Sequence, residues 1–175
     1  MSLIKNLKYL FLIIPIFYMG FAQSNEKIVY IDINFVMNNS LAGKSIMKEL
    51  DKTKKVNAEK FNNIEISLKE KETKIISQKK ILNQDEYIKK VDNFKIEVNA
   101  FNLKKNKAIN DMNSKQVNLQ RVLTNHLTSI LTDYSQKNSL DYILTKQNII
   151  IGKSELDITS IILKILDSKI KKIKL

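Results

Sequence analysis

With 175 residues, a formal charge of +12 and no cysteine, the chain has room for one strongly basic domain and excludes a disulfide framework, a thiolate metal site and a cysteine nucleophile. Of its 30 basic residues only Arg121 is arginine, and the accompanying wealth of lysine, isoleucine and asparagine reads as genome composition rather than chemistry.

The first 22 residues have the layout of a secretory signal peptide. Lys5 and Lys8 give a positive start, residues 10–19 an apolar stretch holding the single Pro15, and Gly20-Phe21-Ala22 a small-x-small cleavage site before Gln23. The apolar stretch falls short of the roughly 20 residues of a membrane span, which disfavours an uncleaved anchor. Gln23 in place of cysteine argues against a lipoprotein. Cleavage after Ala22 removes two lysines, leaving 153 residues at +10, and predicts an exported, soluble protein.

Residues 27–33 then read as a strand, β-branched and alternating from Val29. A short helical turn follows, with Asn34 as cap for Phe35, Val36 and Met37, before residues 40–43 turn the chain into a long proline-free stretch. From Leu50, alternating steps of 4 and 3 give Leu50, Lys54, Asn57, Phe61, Ile64, Leu68, Lys71, Ile75, Gln78 and Leu82. After a break at residues 83–85 the pattern resumes as Tyr87, Val91, Phe94, Val98, Phe101, Lys105, Ala108, Met112, Lys115, Leu119, Val122 and His126. Of these 22 positions 15 are apolar in a chain that is 43% hydrophobic, so the pattern is a heptad seam and predicts two helices folded back on one another. At the break Asn83 is placed to cap the second helix and Glu86 to return the capping-box bond. Residues 44–82 would make an arm of about 60 Å. The lysines within the seam are expected to snorkel, keeping their ammonium groups in water. His126 is expected to pack near the base.

The second helix fades around residues 137–138. Residues 140–146 read as another strand, residues 147–148 as a turn, and residues 149–152 (Ile-Ile-Ile-Gly) as a third strand. The last segment, with Ile158, Ile161, Ile162, Ile165, Leu166, Ile170 and Ile173, has the spacing of an amphipathic helix. The expected fold class is α+β: a small β-rich body formed by residues 23–43 and 138–175, and a projecting coiled-coil hairpin over residues 44–137 with its tip near residues 83–85. The two body segments are few for an independent core, and nothing staples them, so self-association is expected. Val29, Ile31, Ile143, Ile149 and Ile151 are the candidates for an oligomerisation surface in which strands cover their own edges.

The order of pieces and several short motifs resemble the Skp/OmpH family of periplasmic chaperones. Lys27-Ile28-Val29-Tyr30-Ile31-Asp32 followed by Ser40-Leu41-Ala42-Gly43-Lys44 is similar to that family's opening pattern. Leu140-Asp141-Tyr142-Ile143-Leu144 and Asp157-Ile158-Thr159 resemble its later strand and the start of its last helix. The resemblance covers nearly the whole chain after the signal peptide. It implies a periplasmic homotrimer of "jellyfish" shape that holds unfolded outer-membrane proteins in a cavity between its arms without ATP. This chain carries lysine where relatives mix lysine and arginine, and no arginine-dependent lipopolysaccharide contact is transferred to it.

The residues support such a reading on their own terms. Positions that point away from the seam hold Ile66 on the first helix and Ile96, Leu103 and Val117 on the second, a thin apolar stripe suited to unfolded clients. Residues 44–137 hold 20 basic and 12 acidic side chains, which would steer acidic chains, anionic lipid or lipopolysaccharide towards the arms. The outer-membrane assembly machinery is a further candidate partner. Nucleic acid is not expected of an exported chain with no aromatic-basic platform. Asp32 and Asp157 suit turns or caps better than acid-base work, and no P-loop, dinucleotide fingerprint or zinc spacing is present, so no enzyme, cofactor or metal is expected. The competing class is an envelope coiled-coil spacer without chaperone activity.

Overall fold

The structure, a computed structural model, describes residues 26–173. The expected signal peptide and its cleavage after Ala22 lie outside the described residues. In chain order come β1 (Ile28–Ile31), α1 (Ile33–Asn39), α2 (Leu41–Ser77), α3 (Gln84–Asn138), β2 (Tyr142–Thr145) and α4 (Thr159–Lys169). Short 3-10 turns occupy Gln78–Lys80, Lys146–Asn148 and Ser154–Leu156.

Each corner is set by one side chain. Asp32 Oδ1 accepts from Phe35 N at 2.8 Å, so Asp32 caps α1. The expected cap, Asn34, lies inside the helix because the strand already ends at Ile31. Ser40 closes α1 through its N–H to Val36 O and opens α2 by accepting from Gly43 N at 3.0 Å. That double corner brings two helices together so closely that a Cβ on Gly43 would lie 1.8 Å from Met37 O. At the far end α2 gives way to the 3-10 turn before Leu82, earlier than the seam implied, and residues 81–83 form the tip. Asn83 caps α3, its Oδ1 accepting from Glu86 N at 2.9 Å, with Asp85 and Glu86 in the first turn where negative charge suits the helix dipole. The reciprocal bond from Asn83 N to the Glu86 carboxylate is not formed.

Helix α3 runs for 55 residues against 37 for α2, about 80 Å against about 55 Å. It ends where Ser139 adopts a left-handed conformation (φ 51°) and Leu140 N bonds back to Ser135 O. The chain then enters β2, which pairs with β1 in parallel, Ile28 opposite Tyr142 through Ile31 opposite Thr145. The whole hairpin is thus the crossover between two neighbouring parallel strands. On the other edge of β1, Tyr30 bridges to Asp157 and Ile158 N donates to Tyr30 O at 2.9 Å.

The third strand expected at residues 149–152 is not formed. Although the outer edge of β2 has no partner strand, the isoleucine run does not add to it; the run has only its propensity behind it, and propensity for strand is strongly context-dependent. Residues 149–152 follow an irregular path that leaves Ile150 and Ile151 99% and 92% exposed.

The core is larger than the two chain ends. Val29, Ile31 and Val36 meet Ile158, Ile162, Leu166 and Ile173, but Ala42 and Ile46 of α2 and Leu119, Leu123, Leu127 and Ile130 of α3 complete it. At this base the α3 seam changes step. From Leu119 it advances by 4, 4 and 3, which keeps Leu123, Leu127 and Ile130 inside and leaves His126 exposed, against the packing role expected for it. A straight α-helix drifts about 20° per heptad from a 3.5-residue repeat, and here α3 faces the body core, which follows the straight helix.

Candidate functional site

The arm is held along its seam by half-buried apolar contacts and by one buried aromatic pair. Phe61 of α2 and Phe101 of α3 meet edge to face, centroids 6.0 Å apart. The seam lysines do more than snorkel. Lys71 reaches Glu97 at 2.6 Å, Lys105 reaches Glu65 at 2.5 Å and Lys115 reaches Glu49 at 2.6 Å, each crossing from one helix to the other. Lys105 also lies 5.7 Å from the centre of the Phe101 ring. Near the tip Lys90 donates to Gln78 Oε1 at 2.7 Å. The hydrogen bond from Lys115 and its charge hold the Glu49 carboxyl below its ordinary range. These rungs are part-exposed to solvent, so each contributes little to stability and serves mainly to fix which residues face each other.

Off the seam, Ile66, Ile96, Leu103 and Val117 are all exposed, between 51% and 71%. Ile96, Leu103 and Val117 share one side of α3, while Ile66 lies on the outer side of α2. Val56, Ile76, Ile81, Ile88 and Ile109 are exposed on the same arm. These five stand at other heptad positions than Ile66, Ile96, Leu103 and Val117, and the signal they carry in sequence is an apolar residue off the seam. Between the helices a shallow groove of about 440 Å³ has an apolar floor of Leu68, Phe94, Val98 and Phe101, with Glu65, Lys69 and Glu72 on its rim.

In the body, Val29 and Ile31 are buried in the chain's own core and Ile143 packs half-buried against it. Ile149 is half-buried, whereas Ile151 and its neighbour Ile150 stand free. The Asp32 N–H donates to Thr159 Oγ1 at 2.8 Å, and Asp157 Oδ1 accepts from Thr159 N at 2.9 Å. Lys146 donates to Asp157 Oδ2 at 2.8 Å while lying over the Tyr30 ring. Burial alone would raise the Asp157 carboxyl, but bonds from Lys146 and from the side chain and backbone of Thr159, with the Lys146 charge, hold it below its ordinary value. Two motifs about 125 residues apart in sequence, around Asp32 and around Asp157, therefore lock to one another. Among the described residues no group of acidic or histidine side chains could hold a metal, and no helix is long and apolar enough to cross a membrane.

The family model for outer membrane proteins of OmpH-like type matches residues 27–166, from the start of β1 into α4. The chain belongs to the OmpH-like family. A crystal structure of a candidate outer membrane chaperone (OmpH-like) from Caulobacter crescentus CB15 is similar in fold, with a TM-score of 0.79 over 86% of this chain and 89% of that one at 17% identity. Comparison with curated proteins returned no match. The OmpH-like motif residues have structural tasks here: Asp32 and Ser40 cap helices, Gly43 permits a close crossing, and Asp157 with Thr159 ties the last helix to β1.

Proposed function

We propose that this OmpH-like protein is an ATP-independent periplasmic holdase that binds unfolded outer-membrane proteins between the arms of an oligomer, a trimer by family resemblance, and keeps them from aggregating. The observation that carries the reading is the arm surface: nine exposed apolar side chains spread singly between Val56 and Val117 on a hairpin rich in lysine. Scattered contacts of this kind hold a flexible apolar client weakly at many points, while no single patch is large enough to make the arms associate on their own. Family membership supports it, as does a fold shared with a candidate outer membrane chaperone. The chemistry is binding alone, with no catalytic step.

The test is the mass of the purified protein, alone and with a urea-diluted outer-membrane β-barrel protein, by light scattering after size exclusion. An oligomer that takes up the client in a defined soluble complex supports the reading. Ile96→Asp, Leu103→Asp and Val117→Asp together should cut aggregation suppression severalfold without unfolding the arm, since all three side chains are exposed. A protein that leaves the client to precipitate is instead an envelope spacer.

A further inference from the structure

The outer faces of the two arm helices differ in a way that scattered apolar side chains do not explain. On a helix whose seam runs in alternating steps of 4 and 3, a second line of such steps, two residues past Phe94 and one past Val98, lies on the side turned away from the seam. On α3 that line reads Ile96, Asn99, Leu103 and Asn106, then Asn110, Asn113, Val117 and Gln120, over about 36 Å. All eight side chains are exposed and none is charged. The equivalent line on α2 holds Lys52, Lys55, Glu59 and Lys69, and nearer the tip of α3 it holds Asp85, Lys89 and Asp92.

On an arm with 20 basic and 12 acidic residues, an uncharged line of this length selects its partner by charge. Charges beside it already have partners: Lys95 pairs with Asp92 at 3.0 Å, Lys107 with Asp111 at 2.8 Å, and Glu97 with Lys71 across the hairpin at 2.6 Å. The strip is therefore electrically quiet, which favours a neutral ligand over a polyanion. Five of its eight side chains are amides, each with two N–H donors and one carbonyl acceptor. Asn99, Asn106, Asn113 and Gln120 recur every seven residues, about 10.5 Å apart along the helix. A second arm would be a poor occupant, because a helix commits its main-chain groups to itself and a seam between helices wants aliphatic side chains at these positions. A polypeptide that has not folded carries an N–H and a C=O at nearly every residue that are unpaired within the chain, and an amide can meet both.

We propose that this strip of α3 holds the main chain of the unfolded client, its five amides exchanging hydrogen bonds with peptide groups while Ile96, Leu103 and Val117 take apolar side chains. The assignment rests on the holdase reading and adds to it the side of the arm that meets the client and the feature recognised there. Peptide groups are common to every sequence and are paired off once a β-barrel closes, so the strip accepts clients of any sequence and does not hold folded ones. Amides also give up water more readily than ammonium or carboxylate groups, which suits a surface that must be covered and uncovered.

Fluorescence titration of the purified protein with a labelled, urea-diluted outer-membrane β-barrel protein tests the assignment. Asn99→Ala/Asn106→Ala/Asn113→Ala should weaken binding about tenfold, since three amides are lost while neutral, helix-favouring side chains take their place. Asn99→Gln/Asn106→Gln/Asn113→Gln keeps the amides and should stay within about twofold of the parent. A control on the outer side of α2, Asn62→Ala/Asn63→Ala/Ser67→Ala, should also stay within about twofold, as these side chains are exposed but lie off the strip. The ratio between parent and alanine variant should be the same at about 50 and about 500 mM salt, because no charge is removed. An alanine variant that binds like the parent, or a glutamine variant that loses as much as the alanine one, overturns the assignment and leaves the holdase reading in place. A parent that binds no client overturns that reading and this one together. A lower mass for the alanine variant in light scattering would make the strip a seam between copies, and overturns the assignment as well.

Discussion

Two single residues decide how the body closes. Gly43 lies where α2 passes the end of α1, and a methyl group there would meet Met37 O at 1.8 Å, a backbone atom that cannot swing away. Gly43→Ala should therefore destabilise by about 3 kcal/mol or more, at or beyond the upper end of overpacking effects, read as a fall in the urea midpoint. At Gly152 the corresponding clash, 2.9 Å, is with the Tyr30 ring, and Gly152→Ala should cost less because that ring can move. Asp157 makes a different prediction. Its folded pKa is depressed, so its contribution is present above the unfolded value, about 3.9, and is lost as pH falls through the lower folded value. Asp157→Asn should flatten the acid limb of stability relative to the parent chain, seen in urea unfolding between about pH 5 and pH 2. If both proteins lose stability in parallel, the bonds to Lys146 and Thr159 contribute nothing to folding.

At the scale of elements, the hairpin was largely legible and its fastening was not. A heptad seam can be read from spacing alone, and Asn83 marked the tip because a capping side chain leaves a local signature. Which lysine meets which glutamate depends on how α2 and α3 slide past each other, a tertiary quantity, so Lys71–Glu97 and Lys105–Glu65 could not be foreseen. The 4-4-3 step after Leu119 was hidden for a similar reason: both Val122 and Leu123 are apolar, and only the body core decides which of them turns inward. The isoleucine run at residues 149–152 misled because strand propensity says nothing about whether a segment is carried alongside an edge. If the rungs set the register, Lys71→Glu alone should destabilise by about 0.5–1 kcal/mol, and adding Glu97→Lys should recover most of that. The recovery should shrink in 1 M salt, where the Debye length is about 3 Å. A double-mutant cycle on urea unfolding at both salt concentrations measures it; a coupling of zero at low salt would leave the aromatic pair at Phe61 and Phe101 to fix the register unaided.

For the whole molecule the open question is what covers the body. Its sheet has two strands, a size seldom stable without cover. Tyr142, Leu144, Ile150 and Ile151 project from the strand and the segment that follows it, and Ile150 and Ile151 contribute nothing to the chain's own core. Large side chains kept almost wholly in water at adjacent positions are explained if another copy buries them, and that copy would also bring several arms together around one space. The prediction separates assembly from folding. Ile150→Asp with Ile151→Asp should leave the helical signal and the arm intact, because neither side chain packs within the chain's own core, and, under the proposed assembly, should lower the mass in light scattering at micromolar concentration to that of a monomer. Aggregation suppression should fall with it, since a lone hairpin offers exposed side chains without enclosing anything. A variant of unchanged mass would move the interface to another face, with Phe35, Leu41 and Met47 at the α1–α2 corner next in exposure. A monomer that still protected its client would show that one arm suffices, and that the cavity is not the source of the activity.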